Sequence, residues 1–347
     1  MTAAHRQPGI RGRRRRDFTA PLPRRQRGVA LLVAILLVAL GTIIAATMAY
    51  NNAMTARRAV ATFEFDQALL VAQGAEALAA YGLQQQAKQN SPYIYPGQAW
   101  SQPLPPTEVL PGVMLEAYME DLEGRFNIND LVQQDGNQPN QVAITAFQRL
   151  LTLLNMDPKW ANYIVDWIDK NTDPMFPDGA EDSVYMEMDP PYRTPNLPIT
   201  STSELMALPG FTRADYDRLA PYIVALPIGT QINVCSASPY VLDALTGHEQ
   251  FSADQDFEKN REAAGTCFPT PTDVETAAGN VAGGGVGTTP GTPGNTQQSL
   301  ASLITQTSTW FRLTSFITLG STQFAVYTVL YKDQAGVRPI MRSFTPD

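Results

Sequence analysis

Residues 24–56 read RRQRGVALLVAILLVALGTIIAATMAYNNAMTA, and the change of character at Gly28 decides how the rest of the chain is read. From Val29 to Ala56 there are 28 consecutive residues without a charge. About 20 apolar residues in a helix cross the ~30 Å hydrocarbon core of a bilayer. Arg24, Arg25 and Arg27 stand directly before this run, so the positive-inside rule puts the N-terminus in the cytoplasm and the body on the far side. Residues 1–28 hold nine Arg and one acid, Asp17, whereas the remaining chain carries 16 basic against 32 acidic residues. A body that acidic repels phosphate backbones, which argues against nucleic acid as a partner. A cleaved secretory signal is an alternative, but the apolar run is about twice the length of an ordinary signal core and no small-x-small site is set off from it. A plain signal anchor is a second alternative.

The helix is expected to continue past the membrane. No Pro occurs between Val29 and Pro92, and Phe63, Leu70, Val71, Leu78 and Tyr81 recur at helical spacing, with Glu64, Asp66 and Glu76 marking a polar side. This predicts a helix over 29–86, spanning the membrane in its first half and offering an apolar stripe to a sheet in its second. Residues 90–112 are dense in Pro and read as a connector, so 87–124 is a connector plus a first strand at Val113–Met119. Residues 125–226 read as helical: Val142, Ala146, Leu150, Leu151 and Leu154 share a face, Asp157-Pro158 opens a second helix, and Ser201-Thr-Ser-Glu204 is a capping box. Past Pro227 strands dominate, with candidates at 308–318, 323–331 and 337–344. The Gly-rich stretch 277–296 holds seven Gly and no charge, and it reads as a loop. The fold class is α+β: a long N-terminal helix on an antiparallel sheet, with a large all-α insertion.

Two His and two Cys in 347 residues leave little for zinc, iron–sulfur or triad chemistry. The densest acidic run is DWIDKNTDPMFPDGAEDSVYMEMD, from Asp166 to Asp189. Hard carboxylate oxygens on a loop with a Gly bend suit Ca²⁺, although the spacing is not that of an EF-hand. Folding so many like charges compactly is costly unless a cation bridges them. Asp173, Asp178, Glu181 and Asp182 are the first candidates and Asp169, Glu187 and Asp189 the second, serving one ion or two; a solvated acidic loop is the alternative. Cys235 and Cys267 lie on the exported side, where disulfides persist, and pairing them would contribute about 3–4 kcal/mol by loop closure; buried free thiols are the alternative. Residues 201–226 have the outline of a helix-hairpin-helix around Leu208-Pro209-Gly210. Arg213 and Arg218 are offset by Asp215 and Asp217, which favours a packing unit over a DNA clamp.

The junction RRQRG-VALLV resembles the leader-peptidase site of type IV pilins and type II secretion pseudopilins. That resemblance implies cleavage after Gly28 by a prepilin peptidase and methylation of the new terminus, Val29. Most members of that family carry Glu at the fifth mature position, here Val33. The segments DLEGRFNIND, VDWIDKNTDP, PPYRTPN, STSELMALPGF and YIVALPIGTQINV resemble, in order, those of the K-type minor pseudopilin, which also lacks that Glu. The resemblance implies a non-enzymatic subunit in the bacterial inner membrane with a periplasmic body. It further implies a pilin-like fold carrying a helical insertion, a calcium-binding acidic loop, and a place at the pseudopilus tip with the I- and J-type subunits. A minor pilin of a type IV pilus and a membrane-anchored DNA-uptake protein are the rival readings.

Overall fold

The computed structural model describes residues 27–88, 92–279 and 300–345; the basic stretch expected as a leader, up to residue 26, and the Gly-rich stretch from residue 280 lie outside them. Along the chain, α1 (Arg27–Lys88) precedes β1 (Leu104–Leu110), β2 (Val113–Asp121) and the short β3 (Phe126–Asn127). Next come α2 (Gln141–Leu153), α3 (Trp160–Ile168), α4 (Asp182–Tyr185) and α5 (Arg213–Leu219), then β4 (Ile223–Val224) and β5 (Ile232–Asn233). The segment α6 (Pro239–Thr246), α7 (Phe257–Ala264), α8 (Pro271–Gly279) and β6 (Ile304–Thr305) leads to the closing strands β7 (Trp310–Leu319), β8 (Thr322–Asp333) and β9 (Gly336–Ser343).

The chain divides into two compact units, Met1–Phe63 and Glu64–Asp347. In the first, α1 exposes its apolar side chains, Val29, Leu36 and Ile43 among them. Among the described residues α1 is the one helix long and apolar enough to cross a membrane.

In the second unit, an antiparallel sheet runs in the order β1-β2-β7-β8-β9. One face packs on α1, burying Val113, Leu115, Ala117, Phe311, Leu313 and Ile317. The helix face that meets them is made of Ala68, Ala72, Ala75 and Leu83. This corrects the expected stripe: Leu70, Leu78 and Tyr81 are exposed and Val71 is only half-buried. Alanine places no bulk between the helix backbone and the sheet, so the surfaces interlock closely. Glu76 is corrected too, because it lies on the buried face. Its Oε1 accepts from Thr328 Oγ1 at 2.9 Å and Arg342 Nε at 2.6 Å, and its Oε2 from Arg342 Nη2 at 2.7 Å. A buried carboxylate is tolerable on this face because both oxygens are occupied.

The Pro-dense connector also proves to contain an edge strand. β1 pairs with β2 only outside the stretch between Leu104 and Thr107, so Pro105 and Pro106 remove no ladder bond. At the opposite edge, Pro339 of β9 sits at a bulge facing Val329/Leu330.

The helical layer is inserted between β2 and β7. One apolar cluster runs from Phe126 to Ile304, so by packing it reaches well beyond the expected 125–226. The helices α6 and α8 supply Val241, Leu242, Leu245 and Val274 to it, and α8 takes residues 277–279 from the stretch expected as loop. The hairpin closes with two capping boxes, Ser201/Glu204 and Thr212/Asp215. Its first arm is a 3-10 turn, Thr202–Ala207, rather than an α-helix. Gly210 adopts φ +83° at the turn, and Phe211 stands edge-on to Trp160 at 5.0 Å. Leu205, Leu208, Tyr216 and Leu219 are buried in the same cluster, so the hairpin is a packing element.

Candidate functional site

Two sets of buried carboxylates organise the second unit. The first is the joint where the sheet gives way to the helical layer, written in the sequence as Asp121–Asp130, DLEGRFNIND. Asp121 ends β2 and is half-buried: its Oδ2 accepts from Ser308 Oγ at 2.7 Å, Asn233 Nδ2 at 2.9 Å and Ser236 Oγ, and its Oδ1 from the Glu123 amide at 3.0 Å. Glu123 Oε1 accepts from the Thr309 amide and hydroxyl, both at 2.7 Å, and from the Trp310 amide at 3.0 Å. Burial, with the Asp121 charge second, pushes the Glu123 carboxyl up to about 7. A Cβ at Gly124 would sit 2.7 Å from the Ser236 carbonyl oxygen, so the two backbones touch only because this residue is Gly.

The motif then bonds outward. Asn127 accepts from the Leu226 amide at 3.0 Å and donates to the Pro227 carbonyl at 3.1 Å. Asn129 donates to the Ile199 and Leu226 carbonyls at 2.9 and 2.8 Å and accepts from the Ile199 amide at 2.8 Å. Asp130 accepts from the Gly229 amide at 2.6 Å. These side chains replace the backbone ladder that an irregular junction lacks, as buried amides require.

The second set is the acidic loop after α3. Asp166 is buried and accepts from the Met175 and Ala180 amides at 3.0 and 2.7 Å, which curls the loop back on itself; burial pushes its carboxyl up to about 7. A Cβ on Gly179 would collide with Asp166 Oδ2. Asp169 and Glu181 are 1% and 3% exposed. Burial raises Asp169 to about 6; burial and then the Asp169 charge raise Glu181 to about 7. Each uses one oxygen: Asp169 Oδ2 accepts from Asn171 Nδ2 at 2.8 Å, and Glu181 Oε2 from Thr194 Oγ1 at 3.3 Å. The other oxygens, Asp169 Oδ1 and Glu181 Oε1, are buried without a partner, as is Asn196 Oδ1. Asn196 sits in the left-handed region at φ 49° and donates from Nδ2 to the Asn171 carbonyl at 3.1 Å. Three unpartnered acceptors, on side chains chained together by Asn171 and Thr194, are chemically suited to a hard cation, and the Tyr185 hydroxyl is likewise buried without a partner.

Of the sequence candidates, the structure draws Asp169 and Glu181 inward. Asp182 is half-exposed, accepts from the Thr194 amide at 3.2 Å and lies 3.6 Å from Arg193. Asp173, Asp178, Glu187 and Asp189 are exposed. Among the described residues no group of three or more His, Cys, Asp or Glu is arranged to hold a metal; the third oxygen of the orphaned set is an amide. Asn196 was not legible as a candidate, since a lone Asn carries no ligand signature. Its position after Pro195, in the same PPYRTPN segment as Thr194, was the available hint. Gly28, Val29 and Val33 lie on the exposed first turns of α1. The structure joins Cys235 to Cys267 as a disulfide with Cα atoms 4.7 Å apart.

A membrane-capable helix that runs onto an antiparallel sheet, with a helical layer inserted between two of the strands, defines a pilin-like subunit with an enlarged head. The profile of type II secretion system protein K matches residues 124–228. The type II secretion system protein K of Pseudomonas aeruginosa is 33% identical over 266 residues, covering 70% of this chain and 79% of that protein. The chain therefore belongs to the type II secretion system protein K family. The Klebsiella pneumoniae relative is 36% identical over 222 residues, covering 62% of this chain and 68% of that protein. Among solved structures, the crystal structure of the GspK-GspI-GspJ complex from enterotoxigenic Escherichia coli shares the fold. Its TM-score is 0.63 at 19% identity, over 84% of this chain and 100% of the matched one.

Proposed function

We propose that this chain is the minor pseudopilin that caps the tip of a periplasmic pseudopilus together with I- and J-type subunits, acting as a structural component and not as an enzyme. The observation that carries the reading is the head itself: a helical layer with its own core, from Phe126 to Ile304, inserted into the pilin-like sheet. So bulky a head obstructs stacking along a tightly packed filament but is accommodated at its end. Val33 in place of the usual Glu agrees, because a terminal subunit has no neighbour's amine above it to neutralise. The complex of the Escherichia coli relative supports the choice of partners. Detergent-extracted full chain should co-purify with its I- and J-type subunits in a stoichiometric complex. Salt-sensitive DNA binding without such a complex would reject the tip reading. The hairpin's Arg213 is engaged with Asp217 at 2.7 Å and its Arg218 with the Asn155 carbonyl at 3.1 Å, which supports a packing role.

Maturation on this reading is cleavage after Gly28 by the prepilin peptidase and methylation of Val29, leaving a single-pass inner-membrane anchor with a periplasmic body. Intact mass of the membrane-extracted protein should start at Val29 with one added methyl; a mass starting at Met1 rejects it.

The acidic loop is proposed to hold Ca²⁺. Asp169, Glu181 and Asn196 are the residues that fit, each with one buried oxygen left over. A bound cation supplies the positive charge that two buried carboxylates lack and secures the loop that Asp166 curls.

A further inference from the structure

The segment carrying α7 and α8 lies outside the residues matched by the family profile, 124–228. It lends Phe257, Val274 and Ala278 to the apolar cluster of the head, and beside that contact lies one crowded polar place. Cys235, fully buried, is bonded to Cys267, which sits between α7 and α8. Arg261 of α7 is 3% exposed, and its guanidinium spans the same two stretches of chain: Nη2 donates to the Ala237 carbonyl at 2.6 Å and Nε to the Phe268 carbonyl at 3.1 Å. The ring of Phe257 lies under that guanidinium at 4.5 Å. Among the described residues the guanidinium pairs with Glu258, at 3.5 Å and largely exposed. A cation in this position gives up hydration for two carbonyls, a ring face and a weak, wet pair. It stays buried while the two stretches are held together, and the disulfide holds them. One residue from Cys235, the Ser236 hydroxyl bonds to Asp121 at the joint.

We propose that α7–α8 is a redox-operated latch on the joint. With the Cys235–Cys267 bond formed, the segment is clamped against residues 235–237. With it broken, Arg261 returns to water and the segment releases, while the sheet and the remaining helical core stay folded. A dithiol carries out the opening: the S–S bond breaks, both cysteines end as thiols, and the dithiol leaves as a cyclic disulfide, supplying the two electrons and two protons. In the cell, an oxidising compartment closes the latch. That cellular direction rests on the export reading, whereas the test below does not.

The test is trypsin cleavage of the detergent-solubilised full chain, followed by mass spectrometry. Oxidised protein should resist cutting after Lys259 and Arg261. Prolonged dithiol treatment should speed cutting there at least tenfold while cutting after Arg149 and Arg218 stays slow. The double variant Cys235→Ser, Cys267→Ser should behave as the reduced protein does without any reductant. Equal protection of Lys259 and Arg261 in all three samples overturns the latch. So does simultaneous cutting at all four sites on reduction, because the disulfide would then hold the whole head rather than one segment.

Discussion

The joint and the acidic loop both draw carboxylates into the fold, and the pairs Asp121/Glu123 and Asp169/Glu181 differ in what faces their oxygens. At the joint, Asp121 and Glu123 accept from seven donors on Ser, Thr, Asn and backbone groups. In the loop, Asp169 and Glu181 each have one oxygen bonded and one left without a partner. Desolvation raises Glu123, Asp169 and Glu181 alike. Only the joint answers it from within the chain. On the calcium proposal the difference separates a carboxylate that brings its own donors from one whose donors are replaced by a cation.

The largest expected effect breaks the joint. Asp121→Ala takes the shared acceptor from three side-chain donors and an amide, and should cost about 3 kcal/mol or more. In a domain of this size that lowers Tm by roughly 6–12 °C, read by thermal unfolding of the full chain in detergent. A shift under 2 °C would mean the network is not holding the two layers.

The second effect belongs to the loop and needs no substitution. Ca²⁺ at a hundredfold its Kd should stabilise the head by about 2.7 kcal/mol relative to chelator. Glu181→Gln should abolish that increment, yet leave the chelated protein within about 1 kcal/mol of wild type, since an unpaired buried charge is removed. If Glu181→Gln instead destabilises the chelated protein as strongly as Asp121→Ala, the two regions are alike and the comparison fails.

A smaller effect follows from protonation. The Glu123 carboxyl titrates near 7 in the folded chain and near 4.5 as an unperturbed group. A folded value above the unfolded one binds the proton more tightly in the native state. Its contribution is therefore fully present below about 4.5 and is lost as pH rises through about 7. Melting curves of chelated protein should fall from pH 5 to pH 8, and Glu123→Gln should flatten the fall. The smallest effect comes from the loop's outer acids: Asp173→Asn with Asp189→Asn should move stability by no more than about 0.5 kcal/mol, checked by the same melts.

The strands of the sheet were legible because alternation along Gln323–Tyr331 is a backbone property, and α1 was legible from its uncharged run and absence of Pro. Which side of α1 turns inward was not. Ranking side chains by hydrophobicity selects Leu70 and Leu78, whereas the sheet accepts Ala68, Ala72 and Ala75 because close approach outweighs the area of a single Leu. The acidic run was visible as composition, but burial divides it. Asp166, Asp169 and Glu181 go in while Asp173 and Asp189 stay out, and that division depends on amides at Met175 and Ala180 that no local pattern announces. The motif DLEGRFNIND was recognisable as a family segment. Its role as a set of side-chain bonds to residues about 70 to 190 positions away became visible only in three dimensions.

The prolines at the two margins of the sheet bear on how such a subunit survives before it is used. Pro105 and Pro106 on one side and Pro339 on the other interrupt the rows of free amides and carbonyls through which one sheet recruits another. On the pseudopilus reading such a chain meets other subunits with similar sheets, and an open strand would let one sheet extend another. With both margins blunted, the sheet of one copy is a poor template for the next.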